Sequence, residues 1–240
     1  MLNLLQITFI TVLIVIIAKK IFKKPQIVIN KNILIVGGTK GIGLELTKIL
    51  SLHNNLTVIA RSHQEEIDNV KYIEIDVTKN TKEIPGGFDL IFCCIGGCKI
   101  KNKLDHNSNG FKRMMELNYI GPTNVLDHLL EKNKKEFQIV FFCSTSVLIT
   151  LPGYLAYEPS KAALFSLYKQ INMLKENTAK LILLPNVKTN AFEEEKKNKN
   201  KASLKIESCG CCLSPDYTAE IILKELFNRN LITIDYFTYF

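Results

Sequence analysis

Ser144, Tyr157 and Lys161 are the residues whose types and spacing could do chemistry, in Cys143-Ser144-Thr145-Ser146 and Tyr157-Glu158-Pro159-Ser160-Lys161. Tyr157 and Lys161 are four residues apart, so a helix sets them on one face, one turn from each other. Pro159 between them is tolerated only in a first helical turn, where no backbone N–H bond is lost. The pair therefore belongs at a helix N-terminus. An ammonium one turn from a phenol favours the phenolate, drawing a group of reference pKa ~10 toward working pH. A serine hydroxyl delivered from the end of a neighbouring strand would hold a carbonyl oxygen while the phenol protonates it. Taken alone, Tyr-x-x-x-Lys is as readily a chance pattern on a solvated face.

The elements needed to position such a trio follow one another along the chain. Asn32–Val36 reads as a buried strand, and Gly37-Gly38-Thr39-Lys40-Gly41-Ile42-Gly43 opens a helix running to about Leu52. Glycines 37, 41 and 43 let the backbone turn tightly and let a pyrophosphate approach the helix N-terminus. The second strand, Leu56–Ala60, ends in Arg61 where an NAD site would usually place a carboxylate. A guanidinium accepts a 2′-phosphate in its fork, and Lys40 adds a second cation, so the expected cofactor is NADPH. Tyr72–Asp76 reads as the third strand, and Asp76 either accepts from the adenine amino group or caps the strand. Leu90–Cys94 is the fourth, followed by Gly96-Gly97. A long helix from Phe111 to about Glu131 carries Asn118, disfavoured inside a helix unless its amide bonds locally. It is read as a kink that positions a water. Gln138–Cys143 delivers Ser144 at the C-terminal end of strand five, where open α/β sheets bind ligands.

The helix bearing Tyr157 and Lys161 is expected from about Ala156 to Asn177, with strand six at Lys180–Leu184. Residues 185–214 show no convincing core element and read as a lid or a disordered segment. They hold Glu193, Glu194 and Glu195, then five lysines between 196 and 205, which serve solubility equally well. Pro215–Arg229 forms the last helix, with Ala219, Ile222 and Leu226 on one face. Leu231–Phe237 is a final strand or a membrane-facing tail. The sum is an α/β fold, a Rossmann-type doubly wound parallel sheet in one domain.

The chain has 240 residues, enough for one large α/β domain, and 47% are hydrophobic. Its formal charge of +8 sits largely in lysine clusters at 19–24 and 196–205, not on one face interleaved with aromatics, so nucleic acid is not an expected partner. The seven cysteines include neighbouring pairs at strand-like positions, which reads as reduced, buried thiols. Cys209-Gly-Cys211-Cys212 lacks a second cluster with zinc spacing, so no metal site is expected. Leu2–Ala18 is 17 residues without a charge, near the lower limit of ~17 for a spanning helix, and Lys19, Lys20, Lys23 and Lys24 follow it. A cleavable leader would carry its charges first, so 1–24 reads as a membrane anchor with the following side cytosolic. Residues 25–31 are a linker and 32–240 the reductase domain.

Strand, glycine loop, helix, Asn118, Ser144, Tyr157 and Lys161 in this order resemble the short-chain dehydrogenase/reductase family over about residues 32–230, with the family's spacing of 13 from serine to tyrosine. Within it the chain looks most like the 3-ketodihydrosphingosine (3-ketosphinganine) reductases. That likeness is carried by the glycine loop, by Ala60-Arg61 and by Phe111-Lys-Arg-Met-Met-Glu-Leu-Asn118-Tyr119-Ile-Gly121. It is carried too by Leu184-Pro-Asn-Val-Lys-Thr189-Asn-Ala-Phe192-Glu-Glu and Cys212-Leu-Ser-Pro215. Two positions depart from the family: Cys93-Cys94-Ile95-Gly96 replaces Asn-x-Ala-Gly, and Leu184-Pro185 replaces Pro-Gly.

The resemblance implies an NADPH-dependent reductase of a long-chain keto-lipid, anchored in the endoplasmic reticulum membrane with its catalytic domain cytosolic. It implies that Lys161 holds the nicotinamide ribose, that Asn118 anchors a water refilling the proton through Lys161, and that Gly96, Val187 and Thr189 touch the cofactor. It also implies a homo-oligomer paired through helices 111–131 and 156–177. A substrate ammonium would find a partner in Glu193, Glu194 or Glu195, unless that triplet only offsets the lysines after it. Two rivals stand: a membrane-bound retinoid or steroid reductase of the same architecture, and a non-catalytic NADPH-binding scaffold.

Overall fold

Ile33, Leu34, Ile35 and Val36 are all buried, and they divide by alternation. Leu34 and Val36 pack with Val125, Leu129 and Leu164, while Ile33 and Ile35 pack with Leu46, Leu50, Ala219 and Ile222. Successive strand residues point to opposite faces, so a strand covered by helices on both sides must be apolar throughout. This is why the strands read as unbroken apolar runs. A computed structural model of the chain describes residues 28–62, 66–101, 110–174, 179–207 and 212–234.

Seven parallel strands form one sheet: β1 Asn32–Val36, β2 Asn55–Ala60, β3 Val70–Glu74, β4 Leu90–Cys93, β5 Gln138–Ser144, β6 Ala179–Leu184 and β7 Leu231–Thr233. Their order is β3-β2-β1-β4-β5-β6-β7, the doubly wound Rossmann arrangement expected from sequence. The order reverses between β1 and β4, which pair in register from Ile33↔Leu90 to Val36↔Cys93. A crevice opens there beyond the strand ends. One face is covered by α2 (Gly110–Met115), α3 (Gly121–Lys132) and α4 (Tyr157–Met173). The other is covered by α1 (Gly41–Ser51) and by α7 (Pro215–Glu225), after the short α5 (Asn190–Lys196) and α6 (Lys201–Glu207). Ala219, Ile222 and Leu226 are fully buried, as their spacing predicts.

Four expectations are corrected. The third strand runs Val70–Glu74, not Tyr72–Asp76, because pairing with β2 from Leu56↔Val70 to Ala60↔Glu74 sets its ends. The expected single helix at 111–131 is broken by a π-turn, Glu116–Ile120. The helix bearing Tyr157 starts one residue later than expected and gives way at Met173, with Leu174 as its cap. Residues 185–214 hold two helices, with Lys199 and Ser203 buried, so ordered structure stands where none was expected. The expected anchor at 1–24 lies outside the described residues, as do linker residues 25–27, Cys209, Cys211 and the tail from 235. Among the described residues no helix is long and apolar enough to cross a membrane.

Candidate active site

The glycine loop is built for close backbone approach. Gly37 has φ +86° and Gly41 φ +55°, conformations that side chains resist. A Cβ on Gly43 would stand 2.2 Å from the Gly37 carbonyl oxygen, so only glycine fits where α1 begins. Thr47 steadies the loop from inside α1, its hydroxyl 3.0 Å from the Gly38 carbonyl and 2.8 Å from that of Gly43. The N-terminus of α1 has no side-chain cap and no acidic residue in its first turn. Its free N–H groups and helix dipole favour an anion there.

β5 carries Ser144 to the crevice, and α4 presents Tyr157 and Lys161 from its first two turns, with Pro159 tolerated as the third helical residue. The Ser144 hydroxyl shares the cavity wall with the Tyr157 phenol and accepts from Ser146 N–H at 3.1 Å. Lys161 is buried; its Nζ donates to the Phe142 carbonyl at 2.7 Å and lies 6.0 Å from the centre of the Tyr157 ring. Burial pushes the Tyr157 phenol well above its ordinary value, and the nearby Ser144 hydroxyl only partly opposes it. Burial likewise lowers Lys161. The sequence argument that the ammonium draws the phenol down is therefore corrected: desolvation dominates, and the phenol keeps its proton at neutral pH.

Asn118 sits at the centre of the π-turn, fully buried. Its Oδ1 accepts from Gly97 N–H at 3.0 Å, and its Nδ2 donates to the Gly97 carbonyl and to Ser160 Oγ, each at 2.9 Å. The irregular turn thus has a cause: it lets one amide tie the loop after β4 to the first turn of α4. π-turns of this kind recur at functional sites. Gly96 is pressed into the same corner, where a Cβ would fall 2.9 Å from Asn118 Oδ1 and 3.2 Å from Lys161 Nζ.

A cavity of about 670 Å³ joins these parts. Its wall includes Gly37, Thr39, Lys40, Gly41, Ile42 and Gly43, then Arg61 and Asp76, then Gly96, Ser144, Tyr157, Lys161, Val187 and Thr189. Every expected site residue but Asn118, which lies behind the wall, lines it. Arg61 is exposed at the rim. Burial pushes the Asp76 carboxyl up, but hydrogen bonds from the Thr78 hydroxyl at 2.7 Å and the Thr78 N–H at 3.1 Å, with Arg61 and Lys79 nearby, hold it below its ordinary value. Thr189 Oγ1 accepts from Phe192 N–H at 3.2 Å and so caps α5, and its methyl would lie 3.1 Å from a Cβ on Gly41. Thr189 thus stands close to the glycine loop across the cavity.

Glu195, which the sequence offered, closes the other end with Tyr154, Lys199 and Glu207, which sequence reasoning missed. Tyr154 Oη lies 2.6 Å from both Glu195 Oε1 and Glu207 Oε1 and donates its one proton to either. Lys199, its side chain fully buried, reaches Glu195 and Glu207 at 2.7 Å each. Tyr154 stacks obliquely on Tyr157, ring centres 5.5 Å apart. The lone signal was the mixed acidic and basic run at 193–207, which reads equally well as a solvated surface.

A cradle that only glycine permits, an uncapped helix N-terminus and a basic rim fit a dinucleotide. A family model described as short chain dehydrogenase matches residues 31–200. The chain is 26% identical to the 3-dehydrosphinganine reductase of Danio rerio over 91% of this chain and 75% of that protein. It is 24% identical to a 3-ketodihydrosphingosine reductase of Yarrowia lipolytica, covering 82% of this chain but 62% of that protein. Among solved structures, a short chain dehydrogenase from Burkholderia cenocepacia in complex with NADP is similar with TM-score 0.69 and 15% identity, covering 86% of this chain and 88% of that one.

Proposed function

Since the chain belongs to the short-chain dehydrogenase family, and is an oxidoreductase on that ground, we propose that it reduces the ketone of 3-ketosphinganine to sphinganine with NADPH. The observation that carries the chemistry is the convergence of Ser144, Tyr157 and Lys161 on one cavity with the glycine loop. The curated relatives' names support the substrate.

When bound, the nicotinamide supplies the hydride to the ketone carbon. Ser144 donates to the ketone oxygen and Tyr157 gives it a proton as general acid, a role worth ~10²–10⁴-fold. A phenol held above its ordinary pKa is in the correct state to donate. Lys161, fixed by the Phe142 carbonyl, holds the cofactor ribose and passes on the proton that restores the phenol. Asn118 holds Gly97 and Ser160, and with them the start of α4. The glycine loop and α1 take the pyrophosphate; Val187 and Thr189 border the nicotinamide; Arg61 and Lys40 take the 2′-phosphate, with Asp76 on the adenine side.

Arg61→Ala is expected to weaken NADPH binding about ten- to a hundredfold, since a charge-assisted hydrogen bond contributes ~1.5–3 kcal/mol, and to leave NADH nearly unaffected. Fluorescence titration with both cofactors decides it, and equal losses would make Arg61 structural.

A lipid substrate suits the surroundings. Leu148 and Ile149, in the segment after Ser144, are 58% and 56% exposed and present apolar surface to solvent. Leu2–Ala18 would hold the domain at the endoplasmic reticulum membrane, where such a substrate concentrates, and the lysines behind it favour a cytosolic catalytic domain. With ~0.8 kcal/mol per buried CH₂, kcat/KM is expected to rise up to about fourfold per added carbon for as long as each added carbon is buried. Flat dependence on chain length, or faster turnover of retinal or a 3-ketosteroid, would refute the sphingolipid substrate and leave the reductase chemistry in place.

A further inference from the structure

The cluster behind Tyr157 has unbalanced charge. Glu195 and Glu207 line the cavity, with side chains 13% and 9% exposed, and among the described residues Lys199 is the one cation bonded to them. Two carboxylates thus share one ammonium. The Tyr154 hydroxyl lies 2.6 Å from both, yet a phenol has one proton and serves one carboxylate at a time. The surroundings suit a further ammonium: Lys199 Nζ already rests 4.4 Å from the Phe192 ring centre and 5.4 Å from that of Tyr154. A second observation points to a ligand with more than one polar group. Ser146 is 4% exposed, lines the same cavity, and its hydroxyl has no hydrogen-bond partner in the protein. It stands beside the site through the bond from its N–H to Ser144, as the carboxylates do through Tyr154 and Tyr157.

We infer that Glu195 and Glu207 form the recognition site for a primary ammonium on the carbon next to the ketone, with Lys199 as their resident counter-cation and Ser146 taking a neighbouring hydroxyl. Bound this way, the substrate ammonium brings the cluster to neutrality. A ketone held by Ser144 and Tyr157 carries its α-nitrogen to the Tyr154 side, where the charge of Glu195 already acts on the Tyr157 phenol. The two carboxylates come from different lid helices, α5 and α6, and the Ser203 hydroxyl ties α6 to the Pro152 carbonyl. Selection of an amino-ketone and closure of the lid are then one event.

The inference rests on the proposed reductase activity, and its test separates the two. Purified protein and its Glu195→Gln and Glu207→Gln variants are assayed for NADPH oxidation with 3-ketosphinganine and with its 2-desamino analogue of equal chain length. The quantity read is the ratio of kcat/KM, amine over desamino. The parent protein is expected to prefer the amine about ten- to a hundredfold, as a charge-assisted contact implies, and each glutamine variant to bring the ratio toward one. A parent ratio near one, or variants that keep the parent ratio, overturns the cation site. If the variants do not fold, the parent protein with N-acetylated 3-ketosphinganine decides: rejection of the neutral amide supports the site, and acceptance equal to the amine overturns it. Oxidation with neither ketone overturns the reductase reading beneath it.

Discussion

Tyr157→Phe is expected to cut kcat by ~10²–10⁴-fold while NADPH affinity stays within about twofold of the parent. The substitution removes one oxygen and keeps the ring, so the oblique contact with Tyr154 at 5.5 Å and the start of α4 survive. What goes is the proton donor. Cofactor binding depends instead on the glycine loop and the rim, which the ring does not form. Single-turnover measurement with saturating NADPH isolates the chemical step. A variant retaining more than a tenth of the parent kcat would mean that another group protonates the ketone.

Gly43→Ala is expected to abolish measurable NADPH binding and to lower Tm by some degrees. Two effects compete at this position. Alanine inside a helix gains ~0.8–1.0 kcal/mol over glycine. Against that, the added methyl would stand 2.2 Å from the Gly37 carbonyl oxygen and 3.0 Å from its carbonyl carbon. Both are backbone atoms of a turn already held at φ +86°, so the loop has little room to yield. Overpacking of this kind costs ~1–3 kcal/mol and exceeds the helical gain. Because the loop itself must move, the cradle for the pyrophosphate is lost with the stability. Isothermal titration and a melting curve on one preparation test both halves. Parent-like affinity in the variant would show that the loop does not hold the cofactor.

Much of this architecture is written in local patterns. Ile33–Val36, Ile139–Phe142 and Leu181–Leu183 are buried on both faces, and a strand buried on both faces has to be apolar at every position. The glycine loop is equally legible, since backbone turns that forbid a side chain leave glycine as the residue that fits. Tyr157, Pro159 and Lys161 encode a helix start in three residues, and the structure sets α4 there.

What the chain alone left open depends on pairs far apart in sequence. The ends of β3 follow from its register on β2, which no local pattern records. The π-turn at Glu116–Ile120 follows from Asn118 reaching Gly97 and Ser160, 21 and 42 residues away. The direction of the Tyr157 pKa shift reversed for the same reason. Helical spacing to Lys161 is a local fact, whereas burial of the phenol is set by everything packed around it, and desolvation outweighs a charge whose nearest partner is the Phe142 carbonyl. At 193–207 the sequence shows a run of glutamates and lysines, a composition as fit for solvent as for a core. Only the folded chain brings Tyr154 against Glu195 and Glu207, 41 and 53 residues away, and buries Lys199 between the two carboxylates, because a buried charge is tolerated where its partners converge.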